Sequence, residues 1–407
     1  MAPQAAARPA VNAQTVQRLK VLFITNWYPS AAQPGTALWV REHAKAAGIF
    51  NDVAVLHCAG PQPELDAPWS IQRESELRRE EGIPTYRLSY RPPLLGRLRY
   101  AVYVCTMLRG IAHVSGAGFS PDVLHVHVYD AGVPAVIFGR LRRIPVAVSE
   151  HFSSFPARRL GRLDLLKARL AMRWADAVLP VSAFLQKALE DYGIEARYHL
   201  VPNVVDTELF HPPLQPAREG AGRRLLFVGQ LVPVKDLANL MAALGRLRRK
   251  RADWRLDIVG EGQGRAEYER LAAQFGLDDV VTFHGSRSRP EVAEFMRSAD
   301  LFVLPSRVET FSVPAAEALA SGIPVLATRC GGPQEFITPE SGLLVTPGDV
   351  DALYQGLDYM LDNLHLYPSM RIAQHAMERF APHIVGAELD SVYRSIIGRR
   401  PPRPWRA

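Results

Sequence analysis

The segment that decides the fold is LFVLPSRVETFSVPAAEALASGIPVLA, residues 301–327. It begins with four apolar residues, Leu301–Leu304, as expected for a parallel strand covered on both faces. Pro314 suits the first turn of a helix, the alanines after it favour helix, and Gly322 is placed to end it. A second apolar strand, Pro324–Ala327, follows. This order of elements is typical of a doubly wound α/β domain.

The loop between the first strand and the helix is predicted to bind a phosphate. Phe311, Ser312 and Val313 lie at the helix N-terminus, directly beyond the carboxyl end of the strand. Unpaired backbone N–H groups and the positive end of the helix dipole meet at such a position. Open parallel sheets also bind their ligands on this side.

Two carboxylates, Glu309 and Glu317, flank this loop with seven residues between them. A carboxylate accepts hydrogen bonds from two neighbouring hydroxyls at once. The pair therefore suits a ribose and a sugar on either side of a diphosphate, which is the layout of a nucleotide-sugar. Without further context, a simpler explanation is more common for such a pair. Glu309 would then interact favourably with the helix dipole, and Glu317 would be a solvated helix residue.

The segment resembles the signature of the family-four retaining glycosyltransferases, which have the two-domain GT-B fold. The matching positions are Pro305-Ser306, Glu309-Thr310-Phe311, Pro314, Glu317-Ala318, Ala320, Gly322 and Pro324-Val325. The resemblance implies that Glu309 contacts the donor sugar and Glu317 the ribose. It also implies the fold class, which is α/β with two Rossmann-like doubly wound domains facing each other across a cleft.

The resemblance extends to the loop 230–236. In the family this loop supplies an Arg and a Lys that neutralise the donor diphosphate. Lys235 matches the Lys, whereas Gln230 stands where the Arg is usual and Asp236 where a Gly is common. A Gln side chain donates a hydrogen bond but carries no charge. Gln230 would therefore stabilise the leaving group less than an Arg.

Two residues of the first half match the family as well. Gly35 lies between the predicted strand Lys20–Thr25 and a helix, where the family has a glycine loop facing the donor. His151 follows the predicted strand Pro145–Ser149, and in the family a His at this point reaches the donor sugar. Without the resemblance, Gly35 would indicate only a turn and His151 a structural histidine.

The sequence predicts no metal site. His125 and His127 share one face of the predicted strand Val123–Val128, because side chains alternate along a strand. No third ligand lies nearby, so a structural pair of histidines is the preferred interpretation. The run Asp349-Val350-Asp351 resembles a metal-binding pair of another glycosyltransferase fold, but Asp349 is better explained as a helix N-cap. We expect no cofactor, with the nucleotide diphosphate sugar acting as the donor substrate.

The length of 407 residues predicts two domains. The predicted division is a disordered N-terminus (1–17), an acceptor-binding domain (18–210), a Pro/Gly-rich linker (211–222), a nucleotide-sugar-binding domain (223–380), a helix crossing back to the first domain (381–398) and a tail (399–407).

The net charge of +7 lies in the first half, since residues 1–205 hold 24 basic and 16 acidic side chains. A basic surface suits anionic lipid headgroups or a phosphate-bearing acceptor. The amphipathic segment Arg158–Trp174 is the candidate surface, and a solvated helix face explains it equally well. Nucleic acid is not expected, because no recognition helix or zinc spacing is present.

Three widely separated cysteines fit a reducing cytosol. No segment approaches the about 20 apolar residues of a membrane helix, and the N-terminus lacks the apolar core of a signal peptide. We therefore expect a cytoplasmic protein that contacts the inner face of a membrane peripherally.

The expected function is metal-independent transfer of a sugar, with retained configuration, to a lipid-linked or cell-envelope glycan. The residues expected to act on the donor are Glu309, His151 and Lys235, and those expected to bind it are Gly35, Gln230, Lys235, Phe311, Ser312, Val313 and Glu317. Two alternatives stay open. One is a non-catalytic nucleotide-sugar-binding partner of a polysaccharide assembly complex, and the other is a GT-B epimerase or phosphorylase.

Overall fold

The computed structural model describes residues 17–30, 33, 35–74, 82–213 and 222–398. Residues 1–16 of the predicted disordered N-terminus, most of the predicted linker and the predicted tail lie outside these residues. The described chain forms two sheets, each flanked by helices. We call residues 17–213 the first half and residues 222–398 the second half.

The first half holds one sheet and its helices. In chain order its elements are β1 (Lys20–Thr25), α1 (Leu38–Phe50), β2 (Asp52–Pro61), β3 (Trp69–Arg73), β4 (Thr85–Tyr90), α2 (Arg99–Gly116), β5 (Val123–His127), α3 (Gly132–Arg142), β6 (Val146–Glu150), α4 (Arg162–Trp174), β7 (Ala177–Pro180) and α5 (Ala183–Asp191).

The second half holds the other sheet and ends in three helices. Its elements are β8 (Arg223–Val228), α6 (Leu237–Lys250), β9 (Trp254–Val259), α7 (Arg265–Gln274), β10 (Val281–Gly285), α8 (Arg289–Ser298), β11 (Leu301–Leu304), α9 (Val313–Ala320), β12 (Val325–Thr328), β13 (Gly342–Val345), α10 (Val350–Asp362), α11 (Ser369–Phe380) and α12 (Pro382–Ile397).

In each sheet the order of the strands reverses at one point near the centre. The strand order is β3-β4-β2-β1-β5-β6-β7 in one sheet and β10-β9-β8-β11-β12-β13 in the other. All pairs in the described sheets are parallel except β3 with β4. Ligands of such sheets bind beyond the carboxyl ends of the two strands at the reversal. In the second half these are β8 and β11, which lead into the loops that carry Lys235 and Glu309.

The helix α12 packs on the first half, although it is the last described element. Val385, Leu389 and Tyr393 are fully buried in the same apolar core as strand β1. A Cβ atom on Gly386 would overlap the carbonyl oxygen of Ala46 in α1, so glycine permits the close contact of the two helices. The hydroxyl of Tyr393 also lies 2.6 Å from Nδ1 of His125 in β5.

The predicted strands at Lys20–Thr25 and Leu301–Leu304 are confirmed with the same bounds. Asp349 is the N-cap of α10 as predicted, since its carboxylate accepts from the backbone N–H of Ala352 at 3.0 Å. The edge strand β3 was not predicted from the sequence. Among the described residues, no helix has both the length and the apolar content needed to span a membrane.

Candidate functional site

An ion pair between Lys235 and Glu309 forms the centre of the candidate site. The Nζ atom of Lys235 lies 2.5 Å from Oε1 of Glu309. The hydroxyl of Ser306 donates to the same oxygen at 2.8 Å, and Ser306 is fully buried. The two loops meet because β8 and β11 are neighbours in the sheet. The structure thus brings together two of the three residues predicted to act on the donor.

The backbone around Glu309 is held by the chain that follows β12. The N–H of Glu309 donates to the carbonyl of Cys330 at 2.8 Å, and the N–H of Gly332 donates to the carbonyl of Glu309 at 2.9 Å. A Cβ atom on Gly332 would overlap the carbonyl oxygen of Thr310. Glycine at position 332 therefore allows the two chain segments to lie in direct contact.

The loop of Lys235 is tied to the loop of Glu309 by a second ion pair. Nε of Arg307 lies 3.0 Å from Oδ2 of Asp236, and the N–H of Arg307 donates to the carbonyl of Val234 at 2.8 Å. Asp236 has a φ of +52°, in the left-handed region that favours glycine. Asp tolerates this conformation better than most residues. The Asp in place of the family's Gly thus keeps the backbone shape and gains a partner for Arg307.

The glycine turn 260–264 supports the loop of Gln230 from the other side. The N–H of Leu231 donates to the carbonyl of Glu261 at 2.9 Å, and the N–H of Gly264 donates to the carbonyl of Leu231 at 2.9 Å. Cβ atoms on Gly260 and Gly262 would overlap the carbonyl oxygens of Gly229 and Leu231. The Gln230 side chain itself is exposed.

Glu317 is buried at the contact between the two halves. Its carboxylate lies 3.5 Å from Nη2 of Arg289, while Nη1 of the same Arg lies 3.9 Å from the carboxylate of Glu42 in α1. Burial raises the pKa of Glu317 to about 7, and Arg289 opposes this rise. Glu317 is therefore not the solvated helix residue that the sequence left open as an alternative.

The helix α9 begins directly after Ser312, where the sequence predicts a helix N-terminus. Pro314 lies in the first turn, and the first N–H groups of a helix have no partner within it. Ser312 has a φ of +74°, and its buried Oγ has no hydrogen-bond partner among the described residues. Phe311 is buried against the rings of Phe336 and Phe380. Of these three predicted residues, Phe311 can offer only its backbone to a ligand.

A buried glutamate shapes the loop that carries His151. The carboxylate of Glu150 accepts hydrogen bonds from the backbone N–H groups of His151, Phe152 and Tyr129 at 2.8, 2.8 and 3.1 Å. Burial raises its pKa to about 7, and these N–H groups lower it. The hydroxyl of Thr310 then donates to the carbonyl of His151 at 3.0 Å, which joins this loop to the Glu309 loop across the two halves.

His151 is half-buried and lies against two fully buried histidines, His43 and His127. Nδ1 of His127 lies 3.1 Å from Nε2 of His151, and one ring nitrogen each of His43, His127 and His151 lies within 4.8 Å of the others. The expectation that no third ligand lies near His127 is therefore wrong, because α1 and the loop after β6 each bring a histidine to it. Burial lowers the pKa of His43 to about 4 and holds those of His127 and His151 well below the usual value.

Gly35 is exposed in the turn that precedes α1, and a Cβ atom there would meet nothing within 4 Å. Close packing within the protein therefore does not explain the glycine at position 35. A role toward the donor stays a prediction.

Glu335 joins the two halves at a second place. Its carboxylate accepts from the backbone N–H groups of Ala183 and Phe184 at 2.9 and 2.8 Å, at the start of α5. Ser182 caps the same helix, because its Oγ accepts from the N–H of Leu185 at 3.1 Å. A separate cavity of about 460 Å³ lies between Ala157 and Arg159 of the first half and the loops next to Lys235 and Glu309.

Three residues of the site were not predicted from the sequence, namely Arg289, Glu150 and His43. A possible signal for Glu150 was a carboxylate at the end of a buried strand, where solvent cannot stabilise it. Arg289 and His43 carried no local signal, because only the contact of the two halves or of separate elements brings them to the site.

Two family models match consecutive parts of the chain. The model described as "Glycosyltransferase Family 4" matches residues 35–209, and the model described as "Glycosyl transferases group 1" matches residues 215–377. One relative is the MMP alpha-(1->4)-mannosyltransferase of Mycolicibacterium hassiacum, which is 31% identical over 83% of this chain and 85% of that protein. The GDP-mannose-dependent alpha-mannosyltransferase of Mycobacterium tuberculosis is 30% identical over 87% of this chain and 94% of that protein.

Solved structures share the fold at lower identity. Anabaena HepE in complex with UDP has a TM-score of 0.73 at 21% identity, covering 93% of this chain and 100% of that chain. Sucrose-phosphate synthase from Thermosynechococcus elongatus has a TM-score of 0.72 at 19% identity, covering 93% and 99%. The predicted fold of two Rossmann-like domains is confirmed by this likeness and by the two parallel sheets.

Proposed function

Because the chain belongs to the family-four glycosyltransferases of the GT-B type, we propose that it transfers a sugar from a nucleotide diphosphate sugar with retained anomeric configuration. The bond between the anomeric carbon and the diphosphate oxygen breaks, and the acceptor oxygen bonds to that carbon. The acceptor's proton ends on the leaving diphosphate. No metal ion takes part in these steps.

The observation that carries this proposal is the Lys235–Glu309 pair beside the start of α9. Negative charge builds on the diphosphate as the bond to the sugar breaks. Lys235 and the N–H groups of Ser312 and Val313 stabilise that charge, the kind of preorganised electrostatic help that usually contributes most to catalysis. A phosphate that binds Lys235 releases the carboxylate of Glu309, which then accepts from the sugar hydroxyls.

The remaining predicted residues bind the ends of the donor. Glu317 accepts from the ribose hydroxyls, with Arg289 holding its carboxylate in place. His151 approaches the sugar from the first half, since its carbonyl is fixed by Thr310 next to Glu309. Gln230 contributes a neutral hydrogen bond from the loop after β8, and Gly35 leaves room for the donor in front of α1.

GDP-mannose is the first donor to test, because one relative is named a GDP-mannose-dependent alpha-mannosyltransferase and another a mannosyltransferase. GDP-mannose is expected to raise the melting temperature of the protein more than UDP-glucose or mannose, since a ligand that binds only the folded state stabilises it. Slow release of GDP without an acceptor would then identify an enzyme. A panel of nucleotide-sugars that leaves the melting temperature unchanged would contradict the proposal.

The alternative of a non-catalytic binder is favoured by the uncharged, exposed Gln230. Tight binding of the donor without hydrolysis, and without transfer to any lipid-linked or glycan acceptor, would select this alternative. The metal-independent retaining enzyme would be supported by two results. NMR of the product would show the anomeric configuration of the donor, and EDTA would leave the rate of transfer unchanged.

We also propose that α4 contacts an anionic membrane that holds a lipid-linked acceptor. Its apolar stripe faces solvent, because Leu163, Leu166 and Trp174 are 74%, 53% and 40% exposed while Ala168 and Ala171 face the core. Further exposed apolar side chains lie on adjoining segments; they are Leu94, Leu95, Leu98, Tyr100 and Leu141. Lys167 stacks on Tyr100 and Arg140 on Trp174, which joins these segments into one surface.

Binding to vesicles tests this surface. The protein is expected to sediment with vesicles rich in phosphatidylglycerol, less so at high salt, and not with neutral phosphatidylcholine vesicles. The double variant Arg162→Gln/Arg173→Gln should weaken binding about 30-fold, because each exposed basic residue contributes about 1 kcal/mol at such a surface. The control Arg255→Gln/Arg270→Gln removes the same charge from exposed positions of the second half and should change nothing. Equal loss in both variants would contradict the proposal.

A further inference from the structure

A largely buried arginine lies between two glutamates that belong to different halves of the chain. Arg289 begins α8 in the second half, and its Nη2 lies 3.5 Å from Oε1 of Glu317 in α9. Its Nη1 lies 3.9 Å from Oε1 of Glu42 in α1 of the first half. We propose that Arg289 is a positioning residue that keeps Glu317 charged for the ribose of the donor, and that Glu42 weakens this effect. The inference rests on the proposed function, in which Glu317 accepts from the ribose hydroxyls.

The three side chains are almost closed to solvent. The exposed fraction is 17% for Arg289, 8% for Glu317 and 5% for Glu42. Charges in such surroundings interact more strongly than charges at an open surface, because water and salt screen them less. Among the described residues, Arg289 is the one basic side chain that forms an ion pair with Glu317. The charge of Glu317 therefore depends mainly on Arg289.

Glu42 has a second basic partner, whereas Glu317 shares its own. Nη2 of Arg41 lies 3.1 Å from Oε1 of Glu42, which is closer than Arg289 lies to the same oxygen. Glu42 thus keeps a partner without Arg289, yet its negative charge still attracts the arginine away from Glu317. Removal of the charge of Glu42 would leave Arg289 to interact with Glu317 alone.

The position of Arg289 leaves the Glu317 carboxylate open to a ligand. The guanidinium carbon of Arg289 lies 5.2 Å from the centre of the Phe210 ring, which is fully buried and holds the arginine from the side. Its buried Nη2 has no hydrogen-bond partner in the described part of the chain, so the contact with Glu317 is an ion pair without a hydrogen bond. The carboxylate oxygens can still accept from two ribose hydroxyls.

The charged groups that act on Glu317 come from α8, from α1 and from the segment that follows α5. Burial raises the pKa of Glu317 to about 7, Arg289 opposes this rise, and the carboxylates of Glu42 and Asp206 add to it. A protonated carboxyl group accepts fewer hydrogen bonds, and bonds to a charged group are about twice as strong as bonds to a neutral one. The grip on the ribose should therefore weaken as the pH falls through about 7.

The first test uses the wild-type chain and two nucleotides. Isothermal titration calorimetry measures the Kd of GDP between about pH 5.5 and about pH 8.5, and the Kd is expected to be about tenfold higher at the acidic end. The compound 2′,3′-dideoxy-GDP carries the same base and diphosphate but lacks both ribose hydroxyls. Its Kd should lack this dependence, so the ratio of the two Kd values isolates the ribose contact from the titration of the phosphate. A ratio that is constant with pH overturns the proposal.

The second test moves the midpoint of this pH dependence in both directions. Arg289→Gln should raise the midpoint by about one pH unit or more, because an opposite charge this close lowers the pKa of a carboxyl group by about that amount. Arg289→Lys keeps the charge and should restore part of the wild-type midpoint. Glu42→Gln should lower the midpoint, because it removes a like charge. A merely structural role would weaken binding at every pH and leave the midpoint in place.

Two matched controls remove charges from exposed positions. Arg287→Gln lies two residues before Arg289, and Glu195→Gln lies in the first half. Both should leave the midpoint unchanged. A midpoint that moves in the same direction in Arg289→Gln and Glu42→Gln, or in neither variant, overturns the proposal. Circular dichroism checks folding, and if Arg289→Gln is unfolded, Glu42→Gln and the two nucleotides on the wild-type chain decide the question.

The outcome also separates this inference from the proposed function. If neither GDP nor UDP binds at any pH, the proposed function is contradicted together with the role of Arg289. If a nucleotide binds and the midpoint does not respond to Arg289 and Glu42, only the inference about these two residues is wrong.

Discussion

Replacing Lys235 with Ala is expected to lower turnover at saturating donor by about 100- to 1,000-fold, as the loss of one preorganised charge-stabilising group does in other active sites. The Lys235 side chain is only 19% exposed, so water cannot fully replace its ammonium group. Turnover is measured with the donor selected by thermal shift. The control Lys250→Ala breaks an ion pair with Asp358 at the surface of the same half and should leave turnover unchanged. A Lys235→Ala rate within threefold of wild type would contradict the proposed role.

The Lys235–Glu309 ion pair also predicts how the effects of the two substitutions on turnover combine. If Lys235 and Glu309 act together on the donor, the double variant Lys235→Ala/Glu309→Gln should lose little more turnover than either single variant, because residues that act as a unit are not additive. Independent roles would instead multiply the two losses. This comparison separates a shared function in transfer from two unrelated effects on folding.

Replacing Gly260 with Ala is expected to destabilise the protein by more than about 3 kcal/mol. Gly260 has a φ of +140°, and its new Cβ atom would overlap the carbonyl oxygen of Gly229. The loop that leads to Lys235 would have to move to relieve this overlap. Thermal unfolding should show a fall of about 6 °C or more in the melting temperature.

The matched control for this change is Gly48→Ala within α1. A Cβ atom at Gly48 would meet nothing within 4 Å, and alanine is favoured over glycine inside a helix by about 0.5–1 kcal/mol. Gly48→Ala should therefore leave the melting temperature unchanged or raise it. If Gly260→Ala melts within 1 °C of wild type, the turn does not support the loop as described.

The strands of the fold were predictable where both faces are buried. Leu301–Leu304 and Val21–Ile24 are continuous apolar runs, and a parallel sheet covered by helices requires such runs. The strand Trp69–Arg73 was missed because it lies at the sheet edge, where its side chains are half-buried or exposed and the sequence is polar. An edge strand has weaker constraints on its pattern than a central one.

The candidate site was predictable where its residues lie within one loop or helix. The positions of Glu309, Glu317 and the start of α9 followed from a single continuous segment. Arg289 and His43 were not predictable, because they reach the site only through packing between distant parts of the chain. The spacing of Glu309 and Glu317 also gave no warning that Lys235 would pair with one and Arg289 with the other.

The position of α12 has a consequence for synthesis on the ribosome. The first-half sheet is covered on one side by a helix that is translated about 200 residues after the sheet's last strand. Until that helix emerges, the apolar surface around Val40, Ala44 and Ala47 stays open to water and to other nascent chains. A stop codon before residue 382 would therefore be expected to yield an aggregating product, although every residue of the nucleotide-sugar site would be present.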